Sequence, residues 1–296
     1  MSGAPPRRPP GPRPPGPRPP GLRRPWSEGA SVADRDDLAI LAIVVGNTST
    51  KVGVFHGREL DSSFRRLNTD LAALVDAVRE ADAALPSVER TGVVIASDNL
   101  PFSTRLLAEL TPSLRHEVYR VGEDLIIPIE RALDPDARPG QDRLLNALAA
   151  FDGLKQACVV IDAGTAITVD FVDGAGVFQG GAILPGAGLM LRSLHEHTAA
   201  LPDIRPERPS DAFIGKNTRD AMLQGVFYGI RGAVRHIVER YATAYEGYPP
   251  VIATGTDAPL LFDGDEFVEQ FVPDLTLRGI EITCRRTLGA EPDDDD

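Results

Sequence analysis

Two short stretches of this chain place glycines, hydroxyls and a carboxylate where apolar runs end. The more informative is Cys158–Gly181, CVVIDAGTAITVDFVDGAGVFQGG. Its opening run, Cys158 to Ile161, is short enough for a buried strand, and Asp162-Ala163-Gly164-Thr165 follows at the strand end. A glycine there lets backbone approach a ligand closely, and neighbouring N–H groups and hydroxyls can cradle an anion. A carboxylate beside them can hold the cation that accompanies a phosphate. The same residues also read as a β-meander with no ligand: Ile167-Thr168-Val169 returns, Asp173-Gly174-Ala175-Gly176 turns, and a third strand starts at Val177 and Phe178. Both readings stand on these residues alone.

The second stretch repeats the first. Val44-Val45-Gly46-Asn47-Thr48 superposes on Asp162-Ala163-Gly164-Thr165-Ala166, aligning two apolar strands, two glycine turns and two returning β-branched strands. A chance match of two strand–turn–strand units is one explanation. The other is an internal duplication whose halves face each other, with both glycine loops in one cleft suited to a nucleotide's phosphates.

The surrounding elements follow from periodicity. Leu38 to Val45 and Lys51 to Phe55 read as strands joined by the Gly46–Thr50 turn, with a third strand near Leu60 to Phe64. Leu71 to Ala84 is an amphipathic helix with Leu71, Leu74, Val75 and Val78 on one stripe. Gly92 to Ala96 is a buried strand ending in Ser97-Asp98-Asn99, Ser103 to Glu109 a helix, and His116–Val121 and Leu125–Ile129 two further strands. A loop, Asp134 to Arg143, opens a helix to Phe151. Later come a strand at Ala182–Leu184, a helix at Leu189–Ala199, and a long helix to about Tyr245 capped by Asn217 or Thr218. Val251–Ala253 is a strand, Ala258–Phe262 is helical, and a last element starts at Leu275.

Composition bounds the answer. The 296 residues allow one large or two ordinary domains, and 42% hydrophobic with 25% charged residues fits a soluble globular protein. Residues 1–36 hold seven Arg against three acids, a net of +4, which leaves −16 of the total −12 on the remainder. An acidic body is not expected to bind nucleic acid or acidic membranes. The arm itself repeats PPGPR with glycine every fifth residue, not every third as in collagen, and reads as disordered polyproline II. The tail 289–296 reads as a solvated acidic run. Cys158 and Cys284 form no CxxC pair and read as buried thiols in a reducing cytoplasm. No apolar run reaches membrane-spanning length, and none follows the N-terminal arginines as a secretory signal would require. His195-Glu196-His197 looks like a metal motif, but residues two apart on a helix point in different directions, so a polar helix end is expected. Gly225, Gly229 and Gly232, interleaved with Arg231, Arg235 and Glu239, are expected to allow close helix packing.

Taken in order, a set of motifs resembles the type III pantothenate kinases, the family that includes Bvg accessory factor. They are VGNTSTKVGVF at 45–55, PGQDRLLNALAAF at 139–151, VVIDAGTAITVDFVDG at 159–174, GGAILPG at 180–186, LHEHTAALP at 194–202, IGKNT at 214–218, GVFYG at 225–229, VIATGTDAP at 251–259 and DLTLRG at 274–279. The resemblance covers Leu38 to about Leu288. It implies an α/β fold of two ribonuclease H-like domains of the actin-like ATPase kind, with mixed sheets flanked by helices and a nucleotide cleft between them. The expected division is 37–152 and 153–288. The implied activity is ATP-dependent phosphorylation of pantothenate to 4′-phosphopantothenate, the first step towards coenzyme A, by a cytoplasmic homodimer using Mg²⁺ with ATP and NH₄⁺ or K⁺.

The same resemblance implies roles. Asp142 matches the general base, a residue that otherwise reads as a helix-start carboxylate favoured by the dipole. Gly140, Gln141 and Arg143 match the pantothenate site with it, the Arg143 fork suiting a carboxylate. Thr218 matches a pantothenate contact, against a plain capping role. Val44, Val45, Gly46, Asn47, Thr48, Ser49, Thr50 and Lys51 match the first ATP loop, Thr165 an ATP phosphate contact, and Asp162 the monovalent-cation ligand. The Thr254-Gly255 turn matches the segment near adenosine. Three positions depart from the family. Val44 stands where its first loop has an aspartate, Leu133 where its pantothenate pocket has a tyrosine, and Thr256 where its adenosine segment has a second glycine. Nearby acids such as Asp98 are candidates to replace the first of these. Two expectations follow: a working kinase with an altered phosphate loop, or a non-catalytic nucleotide- or pantothenate-binding regulator of the same fold.

Overall fold

The computed structural model describes residues 38–288 apart from Ser87 and Glu89; the Pro/Arg-rich arm and the acidic tail lie outside the described residues. The first half runs β1 (Leu38–Val45), β2 (Ser49–His56), β3 (Glu59–Leu67), α1 (Leu71–Ala84), β4 (Arg90–Ser97), α2 (Leu100–Leu110) and β5 (Val118–Arg120). Next comes α3 (Gln141–Leu154). The second half runs β6 (Cys158–Ala163), β7 (Ala166–Val172), β8 (Phe178–Pro185), α4 (Ala187–Glu196), α5 (Thr218–Ala244), β9 (Val251–Thr254), α6 (Ala258–Phe262), β10 (Gln270–Phe271) and α7 (Leu275–Leu288).

The expected duplication is present in the pairing. Two five-stranded mixed sheets have the orders β3-β2-β1-β4-β5 and β10-β9-β6-β7-β8. In each, the leading strand pairs antiparallel with its meander neighbour and parallel with a later strand: β1 with β2 and β4, β6 with β7 and β9. The leading strands are apolar, apart from Asp162 near the end of β6, because both faces are covered. On β1, Ala39, Leu41, Ile43 and Val45 face α1 and α2, packing with Leu74, Val78, Phe102 and Leu106. Leu38, Ile40 and Ala42 face the middle of the molecule, where Cys158 and Val160 of β6 face back across Leu144, Leu145 and Leu148 of α3 and Ile280 of α7. The outer face of β6 packs on α4, α5 and α6 through Leu191, Val226, Ile230 and Leu261. Each fully buried side chain of this kind contributes about 1.5–3 kcal/mol relative to exposure.

The two central helices cross over. α7 packs on β1 and β2 of the first sheet, whereas α3 packs on β6 and β7 of the second and against α7. At their crossing, a Cβ on Gly279 would lie 2.4 Å from the Leu145 carbonyl oxygen, so only glycine allows the approach.

Several expectations are corrected. Leu125–Ile129 is not a strand: a single bridge joins Val121 to Leu125 and the Ile129 N–H turns back to the Ile127 carbonyl. Pro128 removes a ladder donor there, and although Leu125 and Ile127 are buried in the core, Ile126 points outward at 73% exposure. Of His116–Val121 only Val118–Arg120 forms a strand paired with β4. The strands expected separately at 177–178 and 182–184 are one, β8, because Gly180-Gly181 continues the strand: a Cβ on Gly181 would strike the Val169 carbonyl oxygen at 2.2 Å. Gly225, Gly229 and Gly232 pack against no other element among the described residues, since a Cβ at any of them would meet no atom beyond its own helix within 4 Å. His195 lies in the last turn of α4 with Nδ1 2.8 Å from the Leu201 carbonyl oxygen. Cys158 and Cys284 are free and buried, and burial pushes both thiols up to about 12. No helix among the described residues is long and apolar enough to cross a membrane.

Candidate active site

Both glycine loops sit where a leading strand ends in the middle of the molecule. After β1, the Gly46 N–H donates to the Ser49 carbonyl at 3.1 Å. Asn68, just past β3, stitches the loop: its Nδ2 donates to the Gly46 carbonyl at 2.8 Å, and its Oδ1 accepts the buried Thr50 hydroxyl at 2.9 Å. After β6, the Gly164 N–H donates to the Ala166 carbonyl at 2.9 Å. That loop is walled by backbone on two sides. A Cβ on Gly186 would lie 2.1 Å from the Gly164 carbonyl oxygen, and one on Gly255, at φ +93°, 2.5 Å from Asp162 Oδ1. The exposed hydroxyls of Thr48 and Thr165, one from each loop, lie 3.0 Å apart. Lys51 Nζ reaches Asp274 Oδ1 at 3.0 Å, just before α7.

The head of α3 enters between the loops. Its N-cap, Gly140, has no side chain to accept the first free N–H groups. Asp98, one residue beyond β4, does so from outside the helix: Oδ1 accepts the Gln141 N–H at 2.8 Å and Oδ2 the Asp142 N–H at 3.1 Å. The Gln141 side chain ties the same turn to the first sheet, accepting the Ser97 N–H at 3.1 Å and donating to the Val121 carbonyl at 2.7 Å. Asp142 Oδ1 accepts the N–H of Arg143 at 2.6 Å. Burial pushes the Asp142 carboxyl up to about 8, and the negative Asp98 and Asp162 add to the shift.

Two further side chains are fixed by partners that the motif reading did not single out. Arg143 is gripped by Asp170 of β7, which is 2% exposed: Nε donates to both carboxylate oxygens at 3.1 Å, Nη2 adds a third bond, and the Phe178 ring lies 5.5 Å beneath. Burial alone would lower the Arg143 pKa, but the Asp170 contacts outweigh it and the net direction is up. Asp162 is raised by burial, with a hydrogen bond from Asn146 opposing. Asn146 Nδ2 donates to Asp162 Oδ2 at 2.9 Å, and the Thr276 hydroxyl of α7 donates to Asn146 Oδ1 at 2.7 Å, which orients the amide. Asn146 lies one turn after Asp142 on α3, a spacing visible in the sequence; Asp170 could be found only by knowing that β7 faces α3.

The structure therefore gathers Gly140, Gln141, Asp142, Arg143, Asp162, Thr165 and the 44–51 loop. Thr218 does not join that network among the described residues: it begins α5, and the cap is Asn217, whose side chain accepts the Asp220 N–H at 2.8 Å. Val44 is half-buried and packs on the central core at the end of β1. Leu133 lies against Gly180, and Thr256 accepts a hydrogen bond from Arg65 of β3 at 2.5 Å.

A duplicated sheet with two apposed glycine loops and helices crossing between them defines an actin-like ATPase fold. It is shared at low identity by two solved structures. A Baf family protein from Campylobacter jejuni matches 84% of this chain and 99% of its own with TM-score 0.55 and 20% identity. The activator of 2-hydroxyisocaproyl-CoA dehydratase from Clostridium difficile, solved with bound ADPNP, matches 86% and 97% with TM-score 0.50 and 10% identity. The family model of type III pantothenate kinase matches residues 40–240. Relatives named type III pantothenate kinase are 34% identical over 254 residues in Rubrobacter xylanophilus (82% of this chain, 96% of the relative) and 32% identical over 258 residues in Syntrophotalea carbinolica (84% and 100%). The chain belongs to the type III pantothenate kinase family.

Proposed function

We propose that this chain transfers the γ-phosphoryl group of ATP to the primary hydroxyl of pantothenate, forming 4′-phosphopantothenate in the cytoplasm as the first step towards coenzyme A. The observation that carries the assignment to these residues is the position of Asp142 at the head of α3, held through Asp98 beside the first glycine loop and one turn before Asn146, which bonds Asp162 of the second. A base with its pKa near the working pH is suited to taking the hydroxyl proton. As the hydroxyl oxygen bonds to the γ-phosphorus, its proton passes to Asp142, the bond to the β–γ bridging oxygen breaks, and ADP leaves.

In this reading Gly140, Gln141 and Thr218 line the pantothenate site. The Arg143 fork, held by Asp170, offers its remaining donors to the pantothenate carboxylate. Val44 to Lys51 and Thr165 receive the ATP phosphates, with the Gly164 loop held in place by the close backbone packing of Gly186 and Gly255 on it. Asp162 takes NH₄⁺ or K⁺, its oxygen oriented by Asn146. A divalent cation bound with ATP neutralises charge on the phosphates during transfer. The domains in this reading are 37–152 and 153–288, meeting in the last turn of α3, with α3 packed on the second sheet and α7 on the first. A homodimer forms through α5, where Gly225, Gly229 and Gly232 present a small-residue stripe beside the exposed Phe213, Ile214 and Tyr228.

The test is purified protein with ATP, Mg²⁺, K⁺ or NH₄⁺ and labelled pantothenate. Conversion to 4′-phosphopantothenate is expected; no product at any protein concentration would end the proposal.

A further inference from the structure

The turn after β4 does more than end a strand. Val44 of β1 sits beside Ala96 of β4 in the parallel register, both facing the central core, and Asp98 follows two residues beyond Ala96. A carboxylate that β1 lacks at Val44 is thus present just past the end of the neighbouring strand, against the head of α3. Both its oxygens are engaged there, one on the Gln141 N–H and one on the Asp142 N–H. The next residue, Asn99, donates from Nδ2 to the Gly46 carbonyl at 3.4 Å, and the preceding one, Ser97, donates its N–H to Gln141 Oε1 at 3.1 Å. One three-residue turn therefore touches both the first glycine loop and the helix that carries Asp142 and Arg143.

The pair is close as well as linked. Gly140 separates the two carboxylates: a Cβ there would lie 2.7 Å from Asp142 Oδ1 and 3.3 Å from Asp98 Oδ1. From the geometry we infer that Asp98 is a positioning residue for Asp142, fixing the first turn of α3 against the Gly46 loop and supplying from β4 the negative charge that β1 has lost at Val44. The groups that face Asp142 are Asp98 from the end of β4, Asp162 from β6 and Arg143 on its own helix. Of these, Asp98 is the one that also holds Asp142's main chain.

This inference rests on the kinase reading for its consequence in turnover, so the experiment has one arm that needs no activity. Asp98→Asn keeps one accepting oxygen and removes the charge; Asp98→Ala removes both. In turnover, kcat should fall about 10-fold for Asp98→Asn and about 100-fold for Asp98→Ala, the cost of a base displaced by ~1 Å. The KM for ATP should change little. The acid limb of kcat/KM should move to lower pH by about one unit in Asp98→Asn, because a like charge has left the base. A role confined to helix capping would lower kcat and leave the limb in place, and that result overturns the inference. The second arm follows the Asp142 carboxyl by ¹³C NMR in the ligand-free full-length protein, assigned by its disappearance in Asp142→Asn. A downward shift of its titration in Asp98→Asn supports the inference even if the wild type makes no product, in which case only the kinase reading falls. An unmoved titration with an active wild type removes the inference and leaves the kinase reading intact.

Discussion

Asp142 can accept a proton in turnover only as the carboxylate, the form its buried site disfavours. Burial first, and then Asp98 and Asp162, place its carboxyl at about 8. Two consequences follow. For catalysis, kcat/KM should fall on the acid side of about pH 8, measured as a pH–rate profile on the free enzyme. For stability, between the ordinary value of 3.8 and about 8 the folded protein holds a proton that the unfolded chain has lost. This group therefore costs stability increasingly as pH rises through that window, and costs nothing below it. Asp142→Asn should raise the thermal midpoint by about 2–4 °C or more at pH 8 and leave it unchanged near pH 3.5, read by calorimetry. Asp170 makes the complementary case. Asp170→Asn leaves the buried Arg143 guanidinium poorly paired, so unfolding stability should drop by about 3 kcal/mol and the pantothenate KM should rise roughly tenfold, a larger change than in the KM for ATP.

At the scale of elements, the site depends on where α3 lies, and α3 is fixed by its crossing with α7. Gly279 permits that crossing, with the Leu145 carbonyl oxygen 2.4 Å from the Cβ it lacks. Gly279→Ala should destabilise by about 1–3 kcal/mol through overpacking. It should also reduce kcat disproportionately, because α3 carries both Asp142 and Asn146. Denaturant titration beside steady-state kinetics checks the pair of effects. This level was only partly readable beforehand. Continuous apolar runs such as Leu38–Val45 and Cys158–Ile161 announced strands covered on both faces, and the Gly46 and Gly164 turns announced the duplication. The run Leu125–Ile129 carried the same apolar signal and buries Leu125 and Ile127, but it forms no strand because Pro128 interrupts the ladder. Asp98 was visible as a polar strand end and as an acid near Val44, and Asp170 carried no signal of its own. Their partners lie 43 or 44 and 27 positions away, so pairing by tertiary contact, not local pattern, defines their roles. That α7 covers the first sheet while α3 covers the second is likewise a packing outcome that periodicity does not encode.

For the whole molecule, contacts between the two halves gather at the cleft: Thr48 with Thr165, Lys51 with Asp274, Arg65 with Thr256. Each spans a place where the proposed nucleotide binds, so ligand and cleft contacts compete for the same groups. On the outer surface, Phe213 is 98% exposed and α5 presents its glycines to solvent, a combination that suits a second copy. Light scattering should give twice the 31.8 kDa chain mass, and Gly229→Lys should return it towards the monomer. An unchanged mass in that variant would place the interface elsewhere. The claim on which all three scales depend is phosphoryl transfer with Asp142 as proton acceptor. Mass spectrometry of pantothenate incubated with the protein, MgATP and K⁺ or NH₄⁺ tests it most directly. The wild type should add one phosphoryl group to pantothenate, and folded Asp142→Asn should do so about 10²–10⁴-fold more slowly. No phosphorylated product from the wild type, or equal rates from the two proteins, would contradict it.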